Sequence, residues 1–199
     1  MDRAQVQKEL EALAAEGKPA PVPEEKVEVE KEEQASEQEE TAPEEEQGKD
    51  KNKKKGEEEE EKPRENGVLV LDHRARGAHL DAQLNGDQVV AAAEIMRRAG
   101  LSVEAVTGVD WLKENKFEVI YDYALYIAGE DLYRVVVRAL IDRDNPDIPT
   151  ISGVFSGANW HERETWDLLG INFTGHPQLT RFLLPEDADF HPLRKDFKP

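Results

Sequence analysis

Residues 101–141 read LSVEAVTGVDWLKENKFEVIYDYALYIAGEDLYRVVVRALI, and this stretch decides the fold. In its first part Leu101, Val103, Ala105, Thr107, Val109 and Trp111 alternate with Ser102, Glu104, Val106, Gly108 and Asp110. A period of two places such residues on opposite faces of a strand, one of them mostly apolar. After Lys113-Glu114-Asn115 comes Phe117–Ala128, rich in Tyr, Val and Ile, and then Gly129-Glu130-Asp131. The last part, Leu132–Ile141, sets Tyr133, Val135, Val137, Ala139 and Ile141 against Arg134 and Arg138. Short polar connectors between alternating runs predict antiparallel hairpins. The two arginines are expected to meet acids on a neighbouring strand or another chain.

Upstream, a helix is expected after a cap at Asn85 or Asp87, with Val89, Ala92, Ala93 and Met96 inward. Arg97 and Arg98 suit its negative end, and Gly100 is placed to stop it at positive φ. Residues 72–84 read as a loop, and Val68-Leu69-Val70-Leu71 as a short buried strand. The fold class is therefore α+β: a small, mostly antiparallel sheet with packed helices. Before it lies a very different segment. Residues 1–66 carry 23 acidic and 12 basic side chains and contain no Phe, Trp, Tyr or Ile. Such a segment buries too little apolar surface to offset chain entropy, so 1–66 is expected to be a disordered acidic extension. Val6, Leu10 and Leu13 share a face of a short helix over 1–17, which in isolation is marginal.

Downstream, Asp142–Pro149 is a turn-rich break, and Thr150 or Ser152 is placed to start a helical turn. Residues 158–169, ANWHERETWDLL, read as a helix stopped by Gly170. Residues 67–170 are the expected core domain. Residues 171–199 hold Pro177, Pro185, Pro192 and Pro199, which forbid a long helix. They also hold Ile171, Phe173, Leu179, Phe182, Leu183, Leu184, Phe190, Leu193 and Phe197. Apolar residues without a period of their own need another surface to lie on, so 171–199 is expected to be an extended tail that clamps a partner.

Composition removes several chemistries. Without Cys the chain holds no disulfide, thiolate zinc site or iron–sulfur cluster of its own. No apolar run approaches the roughly 18 residues of a membrane span. The first residues lack the apolar core of a secretory signal. The net charge of −18 argues against broad nucleic-acid binding. No glycine-rich phosphate loop and no G-x-S-x-G elbow occurs. His73, His79, His161, His176 and His191 are scattered, and His161-Glu162 lacks the second His of a zinc helix. Charge mixes with apolar surface around the 158–169 helix. His161, Glu164 and Asp167 are the residues a small acid/base hydrolase would use, with Glu164 and Asp167 sharing a face at i, i+3. The more economical account makes Glu162, Arg163, Glu164 and Asp167 ionic anchors for the tail or for a partner.

The run Glu162-Arg163-Glu164-Thr165-Trp166-Asp167-Leu168-Leu169-Gly170-Ile171-Asn172-Phe173 carries a resemblance. It continues through His176-Pro177, Leu179, Arg181, Leu183-Leu184-Pro185-Glu186-Asp187 and Pro192-Leu193-Arg194-Lys195-Asp196-Phe197. Together these resemble the signature of the 30-kDa subunit family of respiratory complex I, the NADH-quinone oxidoreductase of bacteria. Leu169 stands where an aromatic is common, and Ala188-Asp189-Phe190 replaces the usual approach to Pro-Leu-Arg. The resemblance implies a non-catalytic subunit of the peripheral arm of a quinone-reducing, proton-translocating membrane complex, on the cytoplasmic side of the membrane. It implies no cofactor on this chain, while the complex carries iron–sulfur clusters, a flavin or other donor-side cofactor, and quinone. It implies packing against a hydrogenase-like large subunit and an iron–sulfur subunit. Glu162, Arg163, Glu164, Asp167, Gly170, His176 and Pro177 would then be family-motif or interface positions, and Pro192, Leu193, Arg194, Lys195 and Asp196 tail contacts. Relatives serve F420H2 dehydrogenases, ferredoxin-fed complexes and membrane-bound hydrogenases, and the electron donor is not written in this chain.

Overall fold

A computed structural model describes residues 2–17, 65–126 and 132–198. The acidic stretch 18–64 and the turn at Gly129-Glu130-Asp131 lie outside the described residues. The alternating runs become strands: β3 (Ser102–Trp111), β4 (Lys116–Leu125) and β5 (Tyr133–Asp142). They form an antiparallel meander, with Tyr121 opposite Val106 on one side and Val137 on the other. Tyr133, Val135, Val137, Ala139 and Ile141 are buried, as the alternation requires. On the opposite face Arg134 pairs with Asp122, while Arg138 reaches Asp81 at 2.8 Å and Glu118 at 3.5 Å.

The meander is only part of the sheet. The residues expected to form a loop contain a one-turn helix α2 (His73–Arg76) and a strand β2 (Leu80–Asn85). β2 lies parallel to β5 and turns Leu80, Ala82 and Leu84 into the core. A further strand, β1 (Gly67–Val70), pairs antiparallel with β2, which completes a five-stranded mixed sheet ordered β1-β2-β5-β4-β3. β1 is an edge strand, and Leu69 and Val70 are each 65% exposed, so the reading of a buried strand there is corrected. An apolar run reports burial only when both faces are covered.

α3 (Val89–Arg98) follows a short 3-10 turn whose Asn85 and Gln88 form a capping box. Its inward residues are Val89, Ala92, Ala93, Ile95 and Met96, and Gly100 adopts φ 82° behind it. In β3 the register shifts between Val103 and Ala105. This bulge reverses the facing of the second half of the strand, so Val106 and Asp110 point inward rather than Thr107 and Val109. On the same side Gly108 admits α4 (Ala158–Leu169): a Cβ there would stand 2.5 Å from the Leu169 side chain. β6 (Asp147–Pro149) and β7 (Asn172–Thr174) pair in parallel as a separate two-stranded ribbon flanking α4 in sequence.

The expectation that folding starts near Gly67 is corrected by α1 (Arg3–Glu16). Val6, Leu10 and Ala14 are at most 2% exposed and join the same core as Leu84, Val89 and Met96. Gln88 donates to the Leu13 carbonyl at 2.6 Å, and Arg98 pairs with Glu9 at 2.9 Å. The helix is not isolated, so the penalty for a short helix in water does not apply. Its exit is pinned to the end of β2 and the start of β1, because the Gly17 carbonyl accepts from Asn85 and Asn66.

Candidate functional site

The motif-bearing helix α4 ends at Gly170 with φ 78°, which an L side chain adopts at a cost. A Cβ on Gly170 would also stand 2.5 Å from Arg194 and 2.7 Å from His191. The glycine thus turns the chain and leaves room for the returning tail. Of the charged residues singled out on α4, Glu162, Arg163 and Asp167 are buried.

Asp167 is fully buried and directs its carboxylate at the tail. One oxygen accepts the backbone N–H groups of Phe182, Leu183 and Leu184 at 3.2, 2.9 and 3.1 Å. The other accepts from Arg181 at 2.6 Å. Burial alone would raise its pKa, but the three amides and Arg181 outweigh it and hold the group below the usual carboxylate range. Three consecutive amides on one oxygen dictate a tight turn, with Phe182 and Leu183 left 39% and 50% exposed.

Arg163 donates to the Thr180 carbonyl and hydroxyl at 3.1 and 3.2 Å. Its guanidinium lies 4.8 Å from the Trp160 ring centre and 4.9 Å from that of Phe182, a cation held between two aromatics. The fork expected for carboxylates thus engages a backbone carbonyl, a hydroxyl and two rings. Glu162 faces the other way. It accepts from the Ile151 N–H at 2.8 Å and from the Thr150 hydroxyl. Burial raises its pKa despite these bonds. His176 stands 3.8 Å from it, with Nε2 at 3.3 Å from the Asn159 carbonyl oxygen, and burial lowers the imidazole pKa. Glu162 therefore fixes the turn at Thr150–Ser152 that leads into α4.

The end of the tail returns over the same ground. Arg194 donates to the Leu169 carbonyl at 2.6 Å, and the Leu193 N–H to the Leu168 carbonyl at 3.1 Å. The Lys195 N–H donates to Asp110 at 2.8 Å, and Asp110 also receives Arg143, which reaches Asp196 at 2.5 Å. Asp110 and Arg143 carry no signal in the sequence, because the bulge in β3 is what turns Asp110 inward. Pro177 follows His176 at the turn after β7, and Pro192 precedes the Leu193 contact.

Glu164 is exposed while Asp167 is buried, so the shared i, i+3 face does not give a shared environment. Asp167 is engaged by tail amides and Arg181, and His161 offers its carbonyl to Thr165. Of the residues of the hydrolase reading, Asp167 is thus committed to the tail. Among the described residues no cluster of His, Asp and Glu is arranged to hold a metal ion. What the arrangement does is hold an irregular tail in one course. Along that course and on α4, Trp160, Phe182, Leu183, Phe190 and Leu193 remain 39–59% exposed.

Comparison with known proteins adds to this. The family model described as respiratory-chain NADH dehydrogenase, 30 Kd subunit, matches residues 82–199. The C subunit of the NADH-quinone oxidoreductase of Roseiflexus sp. (strain RS-1) is 47% identical over 95 residues, covering 47% of this chain and 53% of the relative. The same subunit of Moorella thermoacetica is 39% identical over 114 residues, covering 56% of this chain and 75% of the relative. This chain spans about half the length of the Roseiflexus relatives that it matches. Among solved structures, a chain of the membrane-bound sulfane sulfur reductase, an archaeal respiratory membrane complex, superposes with a TM-score of 0.52 at 25% identity. That match covers 60% of this chain and 71% of the other.

Proposed function

Because the chain belongs to the 30-kDa subunit family of respiratory-chain NADH dehydrogenase, we propose that it is a non-catalytic structural subunit of a membrane-bound NADH:quinone oxidoreductase. In this reading it sits in the peripheral arm, on the cytoplasmic side of the membrane. The enzyme couples electron transfer to quinone with proton translocation. The chain packs against the hydrogenase-like large subunit and the iron–sulfur subunit. Iron–sulfur clusters, the donor-side flavin and quinone belong to other subunits, and this chain contributes shape. The observation that supports this most is the tail. Arg163, Asp167 and Arg194 fix its backbone, yet several of its large apolar side chains face outward. A surface of that kind, preorganised and apolar, loses little entropy when a partner covers it.

The test is purification of the full chain from native membranes under mild detergent. Hydrogenase-like and iron–sulfur subunits should accompany it in fixed stoichiometry. Recovery as a lone monomer would overturn the proposal. Phe182→Ser and Leu193→Ser should each lower the yield of the assembled complex. The fold likeness to a chain of an archaeal respiratory complex supports one second reading, the equivalent subunit of a complex fed by F420H2, ferredoxin or hydrogen. The donor-side subunits recovered in the same purification distinguish the two.

A further inference from the structure

His176 stands at the start of the tail, and its side chain is wholly buried. The two ring nitrogens have opposite duties. Nδ1 accepts the backbone N–H of Gln178 at 3.1 Å. A backbone amide can only donate, so Nδ1 carries no proton and the neutral ring is protonated at Nε2. Nε2–H then donates to the Asn159 carbonyl of α4 at 3.3 Å. The imidazole thereby bridges α4 and the turn His176-Pro177-Gln178. Pro177 between the two partners fixes its own φ, which keeps ring and amide facing each other.

This bridge exists only while the imidazole is neutral. A proton on Nδ1 would set one donor against another, and the turn must open to relieve it. What faces the ring decides how firmly it stays neutral. Burial opposes any charge there, the Asn159 carbonyl favours a proton and Arg163 repels one, with a lowered pKa as the balance. Glu162, 3.8 Å away, favours the imidazolium when ionised, but burial holds its own carboxyl toward the neutral form. The ionisable groups that act on Glu162 in turn are the hydroxyls of Tyr121 and Tyr123 on β4, which burial keeps protonated. Directly after the turn comes the part of the tail that α4 holds. Arg163 grips Thr180, and Asp167 gathers Phe182, Leu183 and Leu184. We propose that His176 is a proton-operated clasp. When neutral it binds the start of the tail to α4, and when protonated it lets residues 176–184 loosen, together with the outward face formed by Phe182 and Leu183. That the loosened face meets a partner rests on the subunit reading above, whereas the clasp belongs to this chain alone, so each can fail without the other.

The test uses the isolated full chain. In the opened turn the imidazole protonates near its ordinary value of about 6.5, and in the closed turn it resists, so acid favours opening. The opened population should grow by up to about thirtyfold at about pH 5. Amide exchange, corrected for the intrinsic rate at each pH, is followed at Gln178, Thr180 and Phe182–Leu184. Val119 and Tyr121 of β4 report global opening. From about pH 7.5 to about 5, protection in the tail should fall at least about tenfold more than in β4. Asp167 is held below the usual carboxylate range, so its titration does not mimic this loss. Ring nitrogen chemical shifts of His176 should show the Nε2–H form near neutral pH. His176→Asn keeps an acceptor for the Gln178 N–H, in the manner of an Asx-turn, but takes up no proton, and its tail protection relative to β4 should stay flat over the same range. The clasp is overturned by a tail that loses no more protection than β4, by a ring protonated at Nδ1 near neutral pH, or by an Asn variant with the pH dependence of the parent. Where the Asn variant does not fold, the two measurements on the parent decide alone.

Discussion

Two buried carboxylates five residues apart on α4 behave in opposite ways, and the difference lies in what faces them. Asp167 receives three backbone amides and a guanidinium, so its charged form is favoured in spite of burial. Glu162 receives one amide and one hydroxyl, and burial prevails, so its pKa rises. Replacing each by its amide therefore has different consequences. Asp167→Asn removes the charge that gathers Phe182–Leu184 and should destabilise the fold by about 1.5–3 kcal/mol, the range for hydrogen bonds to a charged group. Limited proteolysis should then cut first between Thr180 and Leu184. Glu162→Gln removes a charge that the site already disfavours, and its cost in urea denaturation should be the smaller of the two. Equal costs, or an uncut tail in Asp167→Asn, would contradict this assignment. Only the pairing of residue types is legible in advance. The sequence shows acids beside an arginine on a helix, but the amides that Asp167 collects come from a tail whose path has no period.

At the scale of elements, legibility follows the range of the determining contacts. The strands at 101–141 are readable because alternation and turns are local, and their partners are one hairpin away. α4 is readable because its stop, Gly170, is in the chain itself. β2 is hard to read although Leu80, Ala82 and Leu84 alternate with Asp81, Gln83 and Asn85. It is short, and its parallel partner on β5 lies 55 residues along the chain, as between Gln83 and Arg138. α1 is obscured for another reason. Averaging composition over 1–66 lets the charged stretch outvote a helix whose three inward residues, Val6, Leu10 and Ala14, meet α3, β1 and β2. The structure makes α1 part of the core, which is measurable. Leu10→Ala should cost about 2–5 kcal/mol, as for fully buried leucines elsewhere. Leu69→Ala on the exposed edge should change stability by no more than about 0.5 kcal/mol. The same urea titration reads both. A Leu10→Ala chain as stable as the parent would return the first 17 residues to the status of an appendage.

For the whole molecule, the buried ionisable groups set how stability responds to acid. Burial lowers the pKa of His176 and of His191, so the folded chain resists protonating them. The unfolded chain does not resist, and its histidines take up protons as pH falls through about 6.5. Below that point the unfolded state binds more protons than the native one, so these two groups make stability fall as pH falls. Glu162 acts with the opposite sign. Its pKa is raised in the fold, so its contribution is present in full below the ordinary carboxylate range and is lost as pH rises through the raised value. Asp167 is depressed, and what it contributes persists at neutral pH and is lost only in stronger acid, below the ordinary Asp value. The histidine effect therefore begins as pH falls through about 6.5, above the range in which Asp167 titrates, and Glu162 opposes it wherever its raised pKa falls. General changes in net charge also act there, so the informative quantity is a difference between two chains. The melting temperature of the parent minus that of a His176→Gln, His191→Gln double variant should become less favourable to the parent as pH drops from about 7 to about 5. A difference that stays constant across this range would mean that the imidazoles are as easily protonated in the fold as outside it. The tail junction would then be open to water rather than sealed by α4.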